Sequence, residues 1–263
     1  MNLIKSYETI HVEIKEEVAF VTMNRPQQLN ALNGLLIQEL GSCLKELKNT
    51  EEINILVLRG NGPAFSSGGD IKEMLNINQD EQFFDIMDHI NELMETLYSM
   101  PKLTISCIQG AAAGLGLSIA LATDHIVADK TSKIAMNFIG IGLIPDGGGH
   151  FLLEKRLGAT KAKRVIWDGK IMKAEEAQQL GLVDQLVEES MAVDLENLLS
   201  NWRRKPLKAM IKTKMIYAEM ELDKLRNYLE LEKLSQYEMR QTKDHLEGIK
   251  AFVEKRPPIF QGK

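Results

Sequence analysis

Apolar and polar positions follow two periods along the first 150 residues. Residues 11–15 and 18–23 alternate in the manner of two paired strands around Glu16-Glu17, and Asn24-Arg25-Pro26 ends the second. Leu36, Leu40, Leu44 and Leu47 recur at helical spacing and predict a helix over 35–47. Residues 55–59 form a short apolar strand, and Gly60 to Pro63 a loop. A second helix ends near Met100-Pro101, before a buried strand at 103–108. Small residues at 110–116 lead into a helix at 117–122, then a strand at 126–128. Strand and helix thus alternate, which predicts an α/β domain with largely parallel strands. Beyond residue 150 the pattern turns helical. A segment at 173–177 runs to Gly181, a helix C-cap followed by a short strand, and about three helices are expected between Pro206 and Lys255. The chain divides on this pattern into a core, 1–200, and a helical segment, 201–263.

Composition narrows the class. The 263 residues allow one large domain with an appended segment. Net charge is −5, from 32 basic and 37 acidic residues, which disfavours a general nucleic-acid binder. Cys43 and Cys107 sit in apolar patterns without CxxC spacing and read as reduced core residues. The five histidines are scattered with no metal-ligand spacing, so no metal is expected, and His150 reads as a first-turn helix residue. No signal segment or membrane span is visible, so a soluble cytoplasmic protein is expected.

Three segments carry candidate chemistry. In the first, the apolar run 136–144 ends in Pro145, followed by Asp146, three glycines and a helix at 151–157. A carboxyl placed where an apolar wall meets a close-approach turn has its pKa raised, which suits it to move a proton near neutral pH. A turn aspartate that caps the next helix fits the same pattern. The other two are the small-residue segments 64–74 and 110–118, whose backbone N–H groups can point at a ligand. Facing one another, they could offer one N–H each to a carbonyl oxygen, forming an oxyanion hole. Ile119 breaks a dinucleotide fingerprint after Gly114 and Gly116, and neither Ser67 nor Ser118 lies in a G-x-S-x-G elbow.

In these segments the chain resembles the crotonase, or enoyl-CoA hydratase/isomerase, superfamily. The resemblance rests on Asn24 to Leu32, Ala64 to Lys72, Gly110 to Asp124, Gly142 to Gly149 and the tail from Asp244 to Gly262. It implies a spiral of ββα units with a C-terminal helical trimerisation region, and a homotrimer or dimer of trimers. It implies acyl-CoA thioester substrates, whose coenzyme A is part of the substrate, with no separate cofactor. Backbone N–H groups of Ser67 and Leu115 would form the oxyanion hole. Ala64, Ser66, Gly68, Gly69, Asp70, Ile71, Gly114 and Phe138 would surround the acyl-CoA. Phe252 and Lys255 would approach the coenzyme A adenine and phosphates. The pocket wall would include Leu75, Ile77 and residues of 78–88.

The family's hydratases carry two glutamates that activate water. This chain has Ser118 and Phe138 at those positions, neither able to serve as a base at neutral pH. Asp146 remains, at a position where isomerases of the superfamily acting on dienoyl-CoA and ring-epoxyphenylacetyl-CoA use an aspartate. The Pro-Asp-x-Gly-Gly pattern and the tail look most like the phenylacetate branch. One acid/base group suits a 1,3-proton shift, so an acyl-CoA isomerase is expected. A hydratase with an unusual water site, and a non-catalytic coenzyme A- or RNA-binding scaffold, are the alternatives.

Overall fold

The computed structural model describes residues 6–75 and 79–263. Strands β1 (Ile10–Lys15) and β2 (Val18–Met23) form an antiparallel hairpin turned at Glu16, whose φ is +54°. Asn33 caps α1 (Gly34–Lys48) by accepting the Leu36 N–H, and β3 (Ile55–Gly60) follows. A single-turn α2 (Ile71–Met74) and the long α3 (Asp80–Tyr98) lead to β4 (Leu103–Ile108), β5 (Ala111–Ala113) and α4 (Leu115–Leu121). Next come β6 (His125–Ala128), β7 (Lys133–Ala135), α5 (Gly149–Leu157), α6 (Ala159–Asp168) and β8 (Met172–Lys173). The chain closes with α7 (Ala174–Leu180), β9 (Gln185–Leu186), α8 (Met191–Arg203), α9 (Leu207–Arg240) and α10 (Lys243–Val253).

The main sheet runs β1-β2-β3-β4-β6-β9 and is parallel from β2 onward; β5-β7-β8 make a second, small sheet. The central strands are buried on both faces, as covered parallel strands must be. Leu56 and Leu58 face a core shared with α1 and α3. Ile55 and Val57 face the other way, against Leu195, Leu199 and Trp202 of α8. This is the α/β, ββα arrangement expected. Cys43 and Cys107 are buried free thiols, each pushed up to about 12 chiefly by burial.

One expectation changes. Residues 206–255 hold two helices rather than three, because 207–240 contains no glycine or proline to interrupt it. The resulting 34-residue α9 packs along α3 and adds Leu225 and Leu229 to the main core. No helix among the described residues is long and apolar enough to cross a membrane.

Candidate active site

Two bridges set the geometry of the small-residue loops. Ser66 pairs with Ala112: Ser66 N–H donates to Ala111 O and Ala113 N–H to Ser66 O, both at 3.0 Å. Three residues beyond that pair lie Gly69 and Leu115. The second bridge joins Leu32 to Gly69, with Leu32 N–H donating to Gly68 O at 2.8 Å and Asp70 N–H to Leu32 O at 3.0 Å. A parallel bridge centred on Leu32 uses the groups of residues 68 and 70, so the N–H of Gly69 points away from Leu32. Leu115 opens α4, where the first N–H groups have no intrahelical acceptor. Among the described residues, neither the Gly69 nor the Leu115 N–H has a protein acceptor. Both residues line the same cavity.

Ser67 differs from its expected role. Its N–H donates to Leu29 O at 3.0 Å and is not available to a ligand. The free N–H of this loop is two residues on, at Gly69. The Leu29 contact and the chain direction in the Leu32 bridge decide this, and residue type alone does not reveal it.

The loops are built close. A Cβ on Gly68, which has φ +95°, would lie 2.9 Å from Ala113 O. Asn30 holds the first loop from beneath, its Nδ2 donating to Ala64 O at 2.7 Å, while Ser66 Oγ donates to Asn30 O at 2.9 Å. Arg25 pairs with Asp70 at 3.0 Å, and Asp70 also caps α2. Ala64, Ser66 and Asp70 therefore shape the loop from behind. Gly68, Ile71, Gly114 and Phe138 line the cavity itself.

Asp146 borders both this cavity and a smaller, mostly apolar one behind it, walled by Ile37, Phe83, Ile86, Met87 and Ile90. The turn after it needs glycine. Gly147 and Gly148 have φ of +61° and +76°, and a Cβ on Gly147 would come within 2.4 Å of Leu115 Cδ1. The backbone of Asp146 is held by Ser118 Oγ–H at 2.8 Å and Gly149 N–H at 3.1 Å, both donating to its carbonyl. The side chain opens partly onto the cavities, yet Oδ1 is buried without a partner among the described residues. Oδ2 accepts from Gln236 Nε2 at 3.3 Å. Burial, and after it the negative charge of Glu232, pushes the Asp146 carboxyl up to about 8; the Gln236 contact pulls it partly back. Gln236 can serve both protonation states. Its Nε2–H donates to the carboxylate, and with the amide turned over its Oε1, unpaired here, accepts from the acid.

The remaining expected residues separate into two groups. Phe138 closes the mouth beside Gly114, and Phe252 of α10 lines the same mouth from within the chain. Lys255 is exposed and lies outside the lining. His150 sits in the first turn of α5, its ring bonded to Glu232, and lines neither cavity. Of the expected wall, the α3 residues Phe83, Ile86 and Met87 contribute. Leu75 faces a groove outside, and Ile77 and Asn78 lie outside the described residues. Glu232 and Gln236 escaped the sequence reading, because two polar residues in a charged helix carry no local signal.

Known proteins match this arrangement over nearly its whole length. The family model for enoyl-CoA hydratase/isomerase matches residues 13–263. YhaR of Bacillus subtilis, named an enoyl-CoA hydratase/isomerase, is 47% identical over 93% of this chain and 95% of its own. The 1,2-epoxyphenylacetyl-CoA isomerase of Escherichia coli is 31% identical over 97% of this chain and 99% of its own. The crystal structure of an enoyl-CoA hydratase from Mycobacterium avium subsp. paratuberculosis superposes with a TM-score of 0.88 at 28% identity, covering 97% of this chain and all of that one.

Proposed function

The chain belongs to the enoyl-CoA hydratase/isomerase family, and on that premise we propose that it is an acyl-CoA isomerase, shifting a double bond by a 1,3-proton transfer. The observation that carries this is the lone titratable group, among the described residues, at the junction of the two cavities. Asp146 stands there, while Ser118 is spent on the Asp146 carbonyl and Phe138 is an apolar wall.

In this reading the N–H groups of Gly69 and Leu115 hold the thioester oxygen. The ionised Asp146 takes a proton from the carbon between alkene and thioester. The electron pair moves into the carbonyl, giving a dienolate whose oxygen charge those N–H groups stabilise; one such donor is worth about 3–4 kcal/mol of barrier. The acid then returns its proton to the γ-carbon, and Asp146 is ionised again. One residue both takes and returns the proton, so no resident cofactor is invoked; coenzyme A belongs to the substrate. Gln236 gives the carboxyl a partner before and after each transfer.

Hydration would need a water held by a second polar group, and Phe138 offers none. The net charge of −5 speaks against an RNA scaffold. Phe252 supports a role for α10 in holding the coenzyme A end at the mouth. The exposed Ile216, Tyr217 and Met220 on α9 support assembly of copies, as a trimer or a dimer of trimers. Incubation with 3-enoyl-CoA and, separately, 2-enoyl-CoA, followed by mass and absorbance, tests the reading. Interconversion without gain of water mass supports isomerisation. Gain of water mass establishes a hydratase, and no change with either thioester leaves a non-catalytic binder.

A further inference from the structure

Glu232 is a carboxylate only 2% exposed, and a buried charge of this kind persists only where donors satisfy it. Among the described residues, its three hydrogen-bond contacts are all with the start of α5. Oε2 accepts the Gly148 N–H at 2.6 Å, and Oε1 accepts the His150 N–H at 2.9 Å and meets His150 Nδ1 at 2.8 Å. Helix α5 has no cap of its own, since Gly148 occupies the N-cap position, so Glu232 reaches across from α9 to cap it. Both backbone contacts donate to Glu232, as suits a carboxylate at a helix N-terminus. The capped turn is the one that carries Asp146, whose carbonyl accepts the Gly149 N–H. One helical turn further along α9, Gln236 contacts the Asp146 carboxyl directly.

We propose that Glu232 is a positioning residue for Asp146: it fixes the turn that carries the carboxyl and confronts that carboxyl with a buried negative charge. This rests on the proton-transfer reading above. Two carboxylates around one buried turn repel, and the Asp146 carboxyl, with Gln236 as its one side-chain partner among the described residues, is the one pushed up. Asp146 then rests as the neutral acid at neutral pH, its carboxyl raised first by burial and then by the charge of Glu232. The other charged or titratable groups near Asp146 are few. His150 on α5 is engaged by Glu232, Arg240 on α9 lies over the Phe83 ring and borders the inner cavity, and His245 on α10 is turned to Ile141 O. Ser118 of α4 and the α3 residues at the cavity carry no charge.

The test is an infrared titration of the Asp146 carboxyl in the full-length protein, read as the difference between each protein and its Asp146→Asn counterpart, alongside the pH dependence of kcat/KM with 3-enoyl-CoA. Glu232→Gln is expected to lower the titration midpoint by about one pH unit, the scale of a neighbouring like charge. The same variant should be several-fold faster than wild type at pH 6, with little change or a loss at pH 9. His150→Ala leaves Glu232 in place with both of its backbone donors and removes only the ring contact. It is expected to raise the midpoint, which provides a test even if Glu232→Gln does not fold. A merely structural role predicts slower turnover at every pH with unmoved midpoints, and that result would overturn the proposal. The infrared midpoint does not depend on turnover. If the protein fails to isomerise, the reading of its function falls while the link between Glu232 and Asp146 is still decided.

Discussion

The hydroxyl of Ser118 donates to the main-chain carbonyl of Asp146 at 2.8 Å. Ser118 brings no second carboxyl to the site and is instead a buried clamp on the backbone of Asp146. Replacing it by alanine removes one of two donors to that carbonyl and leaves the Gly149 N–H in place. Ser118→Ala is therefore expected to cost about 1 kcal/mol of stability and less than about tenfold in kcat. Thermal melting and steady-state kinetics with 3-enoyl-CoA check both. A loss as large as that of Asp146→Asn would make the hydroxyl part of the chemistry.

In the proposed reaction the oxyanion donors are backbone groups, so side-chain and backbone changes should diverge. Ser67→Ala keeps every hydrogen bond of residue 67 that the structure shows and is expected to be nearly silent. Gly69→Pro deletes the N–H that faces the cavity and should lower kcat by about 10²–10³-fold. Gly69→Ala retains the donor, and its Cβ would meet only the flexible end of Met74 at 3.4 Å. Activity in Gly69→Ala together with loss in Gly69→Pro identifies the donor. Equal loss in both would point to packing.

Asp146 also makes stability depend on pH. Its folded value, about 8, lies above the ordinary 3.8. The stability linked to its proton is complete below about pH 4 and is lost progressively as pH rises to about 8. An asparagine amide at this position does not titrate. Asp146→Asn is thus expected to match wild type closely near pH 4 and to melt several degrees above it at pH 9. A melting difference that is constant across this range would show that Asp146 ionises without cost.

Helix α10 should matter to binding more than to chemistry. Phe252 lines the mouth, and Gly142 packs so close to α10 that a Cβ there would lie 2.9 Å from the backbone of Asp244 and His245. Phe252→Ala is expected to raise KM for acyl-CoA several-fold with kcat nearly unchanged, whereas Lys255→Ala should do less, because that residue is outside the lining. Initial-rate measurements over a range of substrate concentration separate the two parameters.

Local pattern reveals most of the fold and half of the site. Leu36 to Leu47 and the apolar run at 103–108 mark their elements because burial sets the period directly. The strained glycines after Asp146 are legible because few other residues tolerate that turn. What the sequence hides is relational. Ser67 and Gly69 look equally suited to offer an N–H, and only pairing with Leu29 and Leu32, more than thirty residues away, decides between them. Gln236 reaches Asp146 from 90 positions along the chain, and Glu232 lies one helical turn before it, on a helix whose charged residues mostly face solvent.

The central claim is that Asp146 alone moves the proton. The most direct measurement is the kcat of Asp146→Asn with 3-enoyl-CoA, taken beside its dissociation constant for a non-reacting acyl-CoA. The structure leads to a fall in kcat of at least about 10²-fold with binding unchanged. Isomerisation at the wild-type rate in that variant would contradict it.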